Sequence, residues 1–405
     1  MANIIIFSFP YYGHVNYLTK VAKMLSKENQ VYMDIDKKYS YMLEGTNVHI
    51  LETKFQGDTK TEDVGLKKQL ESVFYFADGL LACAESYLRD MDYIKKLEPD
   101  CIILDSMAYW GKKIAVNLQV PYISSVTMQP IGKEDFSKDL KLVLQGYIGD
   151  TSISEKSLKR EIRMYEVILQ KKYQDEAFYI LDCICANGML NILYTAPELI
   201  YYKNAQENSC LFLGILLPEK TKMGNRTKEK GIYISFGTIL RLKELIVKCI
   251  DGVKDLACTV YVSAGEYEEE LRNKYKSYPN INIGKFLKQL DLIEKCSLCI
   301  CHGGQNTVME SLYYEVPLLI IPQVNDEFIN AEFVKERGYG EKILSKEVTS
   351  ELIKKKSIEI MESRDIKEKV GNASKQLRVY SNQEYRMKQE ELCKAVKLLL
   401  NKERR

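Results

Sequence analysis

Only three histidines occur in the chain, His14, His49 and His302, so any imidazole chemistry must rest on one of these residues. An excess of charge of either sign is also missing. The 58 Lys+Arg nearly cancel the 56 Asp+Glu, leaving a net +2, which removes the basic footprint typical of nucleic-acid binding. No apolar run approaches the ~20 residues needed to cross a bilayer, so no stable membrane insertion is expected. The first lysine is Lys20, after the apolar start Asn3-Ile4-Ile5-Ile6-Phe7-Ser8-Phe9. There is thus no basic n-region of a signal peptide, and a cytoplasmic protein is expected. Neither a GxGxxG fingerprint nor a GxxxxGK[ST] loop is present, which disfavours Rossmann oxidoreductases and P-loop NTPases.

The eleven cysteines are an odd number, in a chain of 405 residues that is too long to need disulfide staples. Reduced thiols are expected. Cys296, Cys299 and Cys301 run directly into His302, but no second Cys/His pair at ligand spacing would complete a tetrahedral metal site. Ser297–Cys301 reads instead as a buried strand in which cysteine acts as a small apolar residue.

What is present is a globular balance of 46% hydrophobic and 28% charged residues, at a length that suggests two or three domains. In the first half, short β-rich runs at Ile4–Phe9, Val31–Ile35, Asp100–Leu104 and Tyr122–Val126 alternate with helical patterns, as in parallel βαβ units. Ser137 to Ala186 is mostly helical. The polar stretch Pro218–Lys230 reads as a linker. The alternation then restarts with Gly231–Phe236, Thr259–Ala264, Ile281–Phe286, Leu298–Cys301 and Pro317–Ile321. The expected organisation is an N-terminal domain over 1–215, a linker over 216–230, a C-terminal domain over 231–380, and a helix over 381–405 that could pack back on the first domain. Both domains are expected to be doubly wound α/β, with ligands at the carboxyl ends of the strands.

Two of the three histidines sit where that rule directs attention. Cys301-His302-Gly303-Gly304-Gln305-Asn306-Thr307 lies between a strand and a helix carrying Glu310. Two glycines allow close backbone approach, and the first helical N–H groups then point at a bound anion, which suits a diphosphate. Gly13-His14-Val15-Asn16 follows the first strand in the same way, whereas His49 reads as an ordinary strand-edge residue.

Together, His302-Gly303-Gly304-Gln305-Asn306-Thr307-Val308-Met309-Glu310, Pro317, Pro322-Gln323-Val324-Asn325-Asp326-Glu327 and Asn330-Ala331 resemble the donor signature of nucleotide-sugar-dependent glycosyltransferases. The resemblance is to the superfamily that contains the macrolide, flavonoid and plant or animal UDP-glycosyltransferases. Ser235-Phe236-Gly237-Thr238 and Gly13-His14-Val15-Asn16 are similar to motifs of the same superfamily. It implies the GT-B fold: two facing Rossmann-like α/β domains with a cleft between them, and C-terminal closing helices. It also implies that the first domain binds the acceptor and the second the donor.

The resemblance further implies roles for particular residues. His302, Gly304, Asn306 and Thr307 would hold the diphosphate, and Glu310 the ribose hydroxyls. Phe286 stands where the superfamily usually stacks Trp on uracil, Gln289 where it contacts ribose, and Lys288 replaces the usual intervening Pro. Thr238 and Ser263 would contact donor phosphate or base, and Thr127 the sugar from the N-terminal side. After Pro322-Gln323, Asp326 and Glu327 would reach the donor hexose. Glu327 replaces a usual Gln, so two adjacent carboxylates there would disfavour an anionic sugar.

His14 would be the general base and Asp105 its orienting partner. The implied reaction is an inverting transfer of a hexose from a UDP-sugar, with a dTDP-sugar as the alternative, to a hydroxyl of a small hydrophobic natural product or antibiotic. The nucleotide sugar is then a co-substrate, with no cofactor and no metal. Asp34-Ile35-Asp36 is a DxD, the metal–diphosphate motif of the other glycosyltransferase fold, but it lies away from the donor signature and is expected to be structural. Tyr12, Phe76, Tyr109 and Trp110 are candidates for an aromatic acceptor cleft. Two other readings compete: a cell-envelope transferase acting on a lipid-linked acceptor, and a non-catalytic nucleotide-sugar-binding protein. The first would favour a basic, apolar membrane patch, and the second would have no use for His14 and Asp105.

Overall fold

Strands covered on both faces need unbroken apolar runs, and parallel sheets bury both faces under helices. Ile4–Phe7, Ile102–Leu104 and Leu298–Cys301 are such runs, with every side chain inaccessible to solvent. The computed structural model describes residues 1–55, 66–149, 152–203, 209–217, 230–237 and 242–403. It divides into two units, one formed by Met1–Leu216 with Asn382–Arg405, the other by Leu217–Ser381. Most of the expected linker over 216–230 lies outside the described residues.

The first unit contains β1 (Asn3–Phe7), β2 (Gln30–Ile35), β3 (Val48–Glu52), β4 (Cys101–Asp105), β5 (Tyr122–Val126), β6 (Leu190–Leu193) and β7 (Ser209–Phe212). They form one parallel sheet in the order β3-β2-β1-β4-β5-β6-β7. The second unit contains β8 (Gly231–Ser235), β9 (Thr259–Ser263), β10 (Ile281–Gly284), β11 (Leu298–Cys301), β12 (Leu318–Ile320) and β13 (Gly340–Lys342). Its parallel order is β10-β9-β8-β11-β12-β13. In both sheets the order reverses beside the first strand of the unit, the doubly wound pattern that leaves a crevice at the carboxyl ends there.

Helices cover these sheets with apolar stripes at helical spacing. Helix Tyr12–Leu25 buries Val15, Leu18, Val21, Ala22 and Leu25. Helix Glu155–Tyr173 starts where Ser154 accepts the Ser157 N–H and stops at Gln174, whose φ is 50°. The final helix, Tyr385–Glu403, contributes Leu392, Cys393 and Val396 to the core of the first unit. Lys397 pairs with Glu28, and Lys388 donates to the Ile215 carbonyl just before the chain leaves that unit. Burial pulls the Lys388 ammonium down to about 8. All eleven cysteines are free thiols, and the β11 cysteines are buried. Among the described residues no group of His, Cys, Asp or Glu could hold a metal ion, and no helix is long and apolar enough to cross a membrane.

The edge strands β3, β7 and β13 and the penultimate strand β6 are additional to those expected from apolar runs. Gly340-Glu341-Lys342 carries no apolar side chain, yet it pairs with Leu318–Ile320. A Cβ at Gly340 would land on the Leu318 carbonyl oxygen, so glycine is needed there for backbone approach. Gly340→Ala is expected to lower the melting temperature by about 5 °C or more. Calorimetry showing a wild-type melt would contradict this close packing.

Candidate active site

In the first unit, three neighbouring strands deliver the key side chains to one edge. β1 ends at Phe7, and the turn through Tyr11 starts helix Tyr12–Leu25, which puts His14 in its first turn. Leu104 pairs with Phe7, so Asp105 emerges beside that turn as the last residue of β4. Ser125 pairs with Asp105, and Thr127 follows directly after β5. Asp105 is fully buried. Its Oδ1 accepts the Met107 N–H at 2.9 Å, while Oδ2 lies 2.9 Å from His14 Nδ1. Thr127 Oγ1 lies 2.8 Å from the same nitrogen.

A carboxylate can only accept hydrogen bonds, so the proton of a neutral His14 belongs on Nδ1 and the basic lone pair on Nε2. The imidazole retains 18% side-chain exposure. Phe9 lies 5.8 Å from its ring, Phe55 lies 5.3 Å from Phe9, and Trp110 stacks under Phe55 at 5.1 Å. These rings pack together beside His14, with Phe9 and Trp110 fully buried and Phe55 partly exposed.

Tyr109 and Trp110 do not line an open cleft as expected. Trp110 is wholly buried and parallel to Tyr87, while the buried Tyr109 donates its hydroxyl to Asp175 at 2.8 Å. Both start helix Tyr109–Leu118, whose first turn faces inward. Tyr12 is half exposed, and Phe76 rests half-buried against Tyr147. Phe9 and Phe55 were not singled out from the sequence. Phe9 continues the apolar run of β1, and Phe55 follows β3, which has only two apolar residues after its first valine.

The DxD carboxylates serve separate local purposes. Asp34 is buried and accepts the Tyr87 hydroxyl at 2.5 Å, and burial raises it to about 7. Asp36 instead caps the turn at Lys38. His49 stacks on Tyr32 at the sheet's edge.

The second unit repeats the arrangement with different chemistry. His302-Gly303-Gly304 links β11 to helix Gln305–Tyr313. Gly303 has φ +97°, and a Cβ there would meet Ile320 at 2.6 Å. A Cβ on Gly304 would stand 2.7 Å from His302 Nε2, and one on Gly237 3.2 Å from its Cε1. Both glycines therefore make room for the imidazole. Burial lowers His302 to about 4, with the Ser235 backbone opposing, so the ring is neutral near pH 7. Its Nδ1 is buried, with no well-formed hydrogen bond to it among the described residues.

Gln289 bridges the next turn, donating to Glu310 at 2.6 Å and Thr307 at 3.2 Å. Tyr233, which sequence reasoning missed because it reads as strand core, donates to Gln289 at 3.3 Å. The hydroxyls of Ser235 and Ser263 also act on that phenol. Asn306 is half-buried in the first turn of the helix. Phe286 is 66% exposed just beyond β10, an aromatic face open to a planar ligand. Asn330 donates to the Gly303 carbonyl at 2.8 Å and to Asp326 at 3.0 Å, tying the two loops together. Thr238 lies outside the described residues.

Glu327 departs from its expected place against a sugar. It is buried, and Oε2 accepts the N–H groups of Gln323 at 2.7 Å and Val324 at 3.0 Å. Its other oxygen lies 3.9 Å from His302 Nε2. Being in the first turn of helix Glu327–Glu336, the side chain folds back on the loop that leads into the helix. Burial raises it to about 8, so two ionised carboxylates do not stand side by side.

Residues 240–399 match the family model described as the glycosyltransferase family 28 C-terminal domain. The chain is 26% identical to an uncharacterised UDP-glucosyltransferase, YojK, of Bacillus subtilis (strain 168), across 93% of this chain and 94% of the relative. It is 24% identical to the NDP-glycosyltransferase YjiC of the same organism, with 93% of each chain covered. Among solved structures, the calicheamicin glycosyltransferase CalG4 superposes with a TM-score of 0.74 at 16% identity, covering 99% and 98% of the two chains. The kitacinnamycin glycotransferase superposes at 0.71 with 18% identity, covering 97% and 98%. The C-terminal domain match and these relatives support a glycosyltransferase of the UDP-glycosyltransferase type, and the structural neighbours share its two-domain α/β fold.

Between about pH 4.5 and 8 the folded chain keeps a proton on Glu327 that the unfolded chain releases. This group's contribution to stability therefore falls as pH rises through that window. Glu327→Gln retains an acceptor for both N–H groups and has no proton to lose. It should match wild type near pH ~4 and melt about 2–4 °C higher near pH ~9. Equal pH slopes of melting temperature for the two proteins would show that Glu327 is ionised in the folded chain.

Proposed function

We propose that this glycosyltransferase moves a hexose from a UDP-sugar, with inversion, to a hydroxyl of a small hydrophobic natural product. The observation that carries the reading is the 2.9 Å contact of His14 Nδ1 with the buried Asp105 carboxylate. It leaves Nε2 as the basic nitrogen and stabilises the imidazolium once a proton is taken. A non-catalytic nucleotide-sugar-binding protein has no need of that pair.

In the proposed reaction, the acceptor O–H proton passes to His14 Nε2 and the oxygen attacks the anomeric carbon. The bond from that carbon to the β-phosphate oxygen breaks, and UDP leaves with the electron pair. An α-linked donor then gives a β-glycoside.

The second unit supplies the donor contacts. Phe286 stacks on the base, Gln289 and Glu310 take the ribose, and the first turn of helix Gln305–Tyr313 faces the diphosphate with Asn306, Thr307 and neutral His302. Because His302 carries no charge near pH 7, the helix N-terminus and these donors stabilise the leaving diphosphate. Asp326 faces an uncharged hexose, so UDP-glucuronate is a poor donor. The partly exposed ring of Phe55 suits an apolar acceptor, in keeping with structural neighbours named for kitacinnamycin and calicheamicin.

His14→Ala should keep UDP affinity, read by calorimetry, while transfer from UDP-glucose to a panel of phenolic and macrolide acceptors falls by ~10²–10⁴-fold. Unchanged turnover would remove His14 as the base. Transfer should also survive EDTA. A rate that collapses in chelator and returns with Mn²⁺ would overturn the metal-free mechanism.

A further inference from the structure

We propose that Thr127 is a positioning residue for His14, its hydroxyl oxygen sharing the single Nδ1 proton with Asp105. The resemblance alone assigns Thr127 to the donor sugar. In the structure its Oγ1 lies 2.8 Å from Nδ1, as close as Asp105 Oδ2 at 2.9 Å. Thr127 is itself buried, so the contact is shielded from competing water.

One N–H aimed between two oxygens forms a three-centre hydrogen bond, and the second acceptor narrows the range of ring orientations that satisfy it. The two acceptors differ in kind. Asp105 carries charge and selects the tautomer outright. Thr127 is a hydroxyl that could donate as well as accept, so it accepts here only because the carboxylate keeps the proton on Nδ1. The charged and titratable groups around this contact are few among the described residues. Asp105 faces the ring from β4, Tyr11 approaches at 6.1 Å from the preceding turn, and the Asp105 charge is felt by the Tyr194 phenol just after β6 and by the buried, neutral Cys185 thiol. Both phenols are uncharged near neutral pH.

With both acceptors bonding to one proton, each partly covers for loss of the other. Removing Thr127 weakens the hold on the imidazolium, which is the stronger donor, so His14 should lose its proton at lower pH. The ring should also sample poorer orientations. Removing both leaves the tautomer unselected.

The proposal rests on His14 acting as the base, and its test separates the two ideas. Because the chain has only three histidines, ¹⁵N-labelled imidazole spectra can report the tautomer and titration of His14 without any substrate. In wild type the Nδ1–H tautomer is expected. Thr127→Val should shift the His14 titration down by about half a unit and lower kcat with UDP-glucose and a phenolic acceptor about tenfold. UDP affinity should be unchanged, and Thr127→Ser should restore both readouts. Thr127→Val combined with Asp105→Asn should lose more tautomer bias than the two single changes added together. Should the valine variant fold poorly, Thr127→Ala is read in the same way.

An unmoved His14 titration in Thr127→Val would overturn the positioning role. So would a raised donor KM at unchanged kcat, since that would return Thr127 to the sugar. Wild-type turnover in His14→Ala defeats the base assignment instead, whatever the Thr127 spectra show.

Discussion

The site chemistry depends on the reversal of strand order beside the first strand of each sheet. At that point the covering helices lie on opposite faces and the carboxyl ends of two adjacent strands stand uncovered. β1 and β4 meet there in the first unit, β8 and β11 in the second. His14 and Asp105 follow from the first junction, Gly237 and His302 from the second. Fully buried apolar strands fix the register at both, so the polar residues just after them have little freedom of placement.

The same residue type then acquires opposite character at the two junctions. His14 meets a carboxylate that favours the protonated ring, while His302 is enclosed between glycines and burial disfavours its charge. One imidazole is suited to take up a proton, the other to hydrogen-bond without carrying charge. The difference lies in the neighbours: Asp105 for one, Gly237 and Gly304 for the other.

The local features were legible in the sequence. Apolar runs marked the central strands, and Gly-bearing turns after two of them marked His14 and His302, because a short stretch of chain encodes both strand and turn. What escaped depended on distant packing. β13 has no apolar residue and exists because glycine admits the Leu318 carbonyl. Trp110 reads as part of a binding surface, but its helix places it under Phe55 and beside Tyr87. Glu327 reads as one more sugar contact, but it folds back onto two backbone N–H groups just ahead of it, a choice that motif spacing does not encode.

The last helix has a consequence for how the chain is made. Its side chains Leu392, Cys393 and Val396 complete the core of the first unit, although the whole second unit lies between them and residue 216. A ribosome therefore delivers the second unit in full before it delivers the missing part of the first. The unit begun first is finished last, and until the final two dozen residues emerge it must wait with an apolar face uncovered.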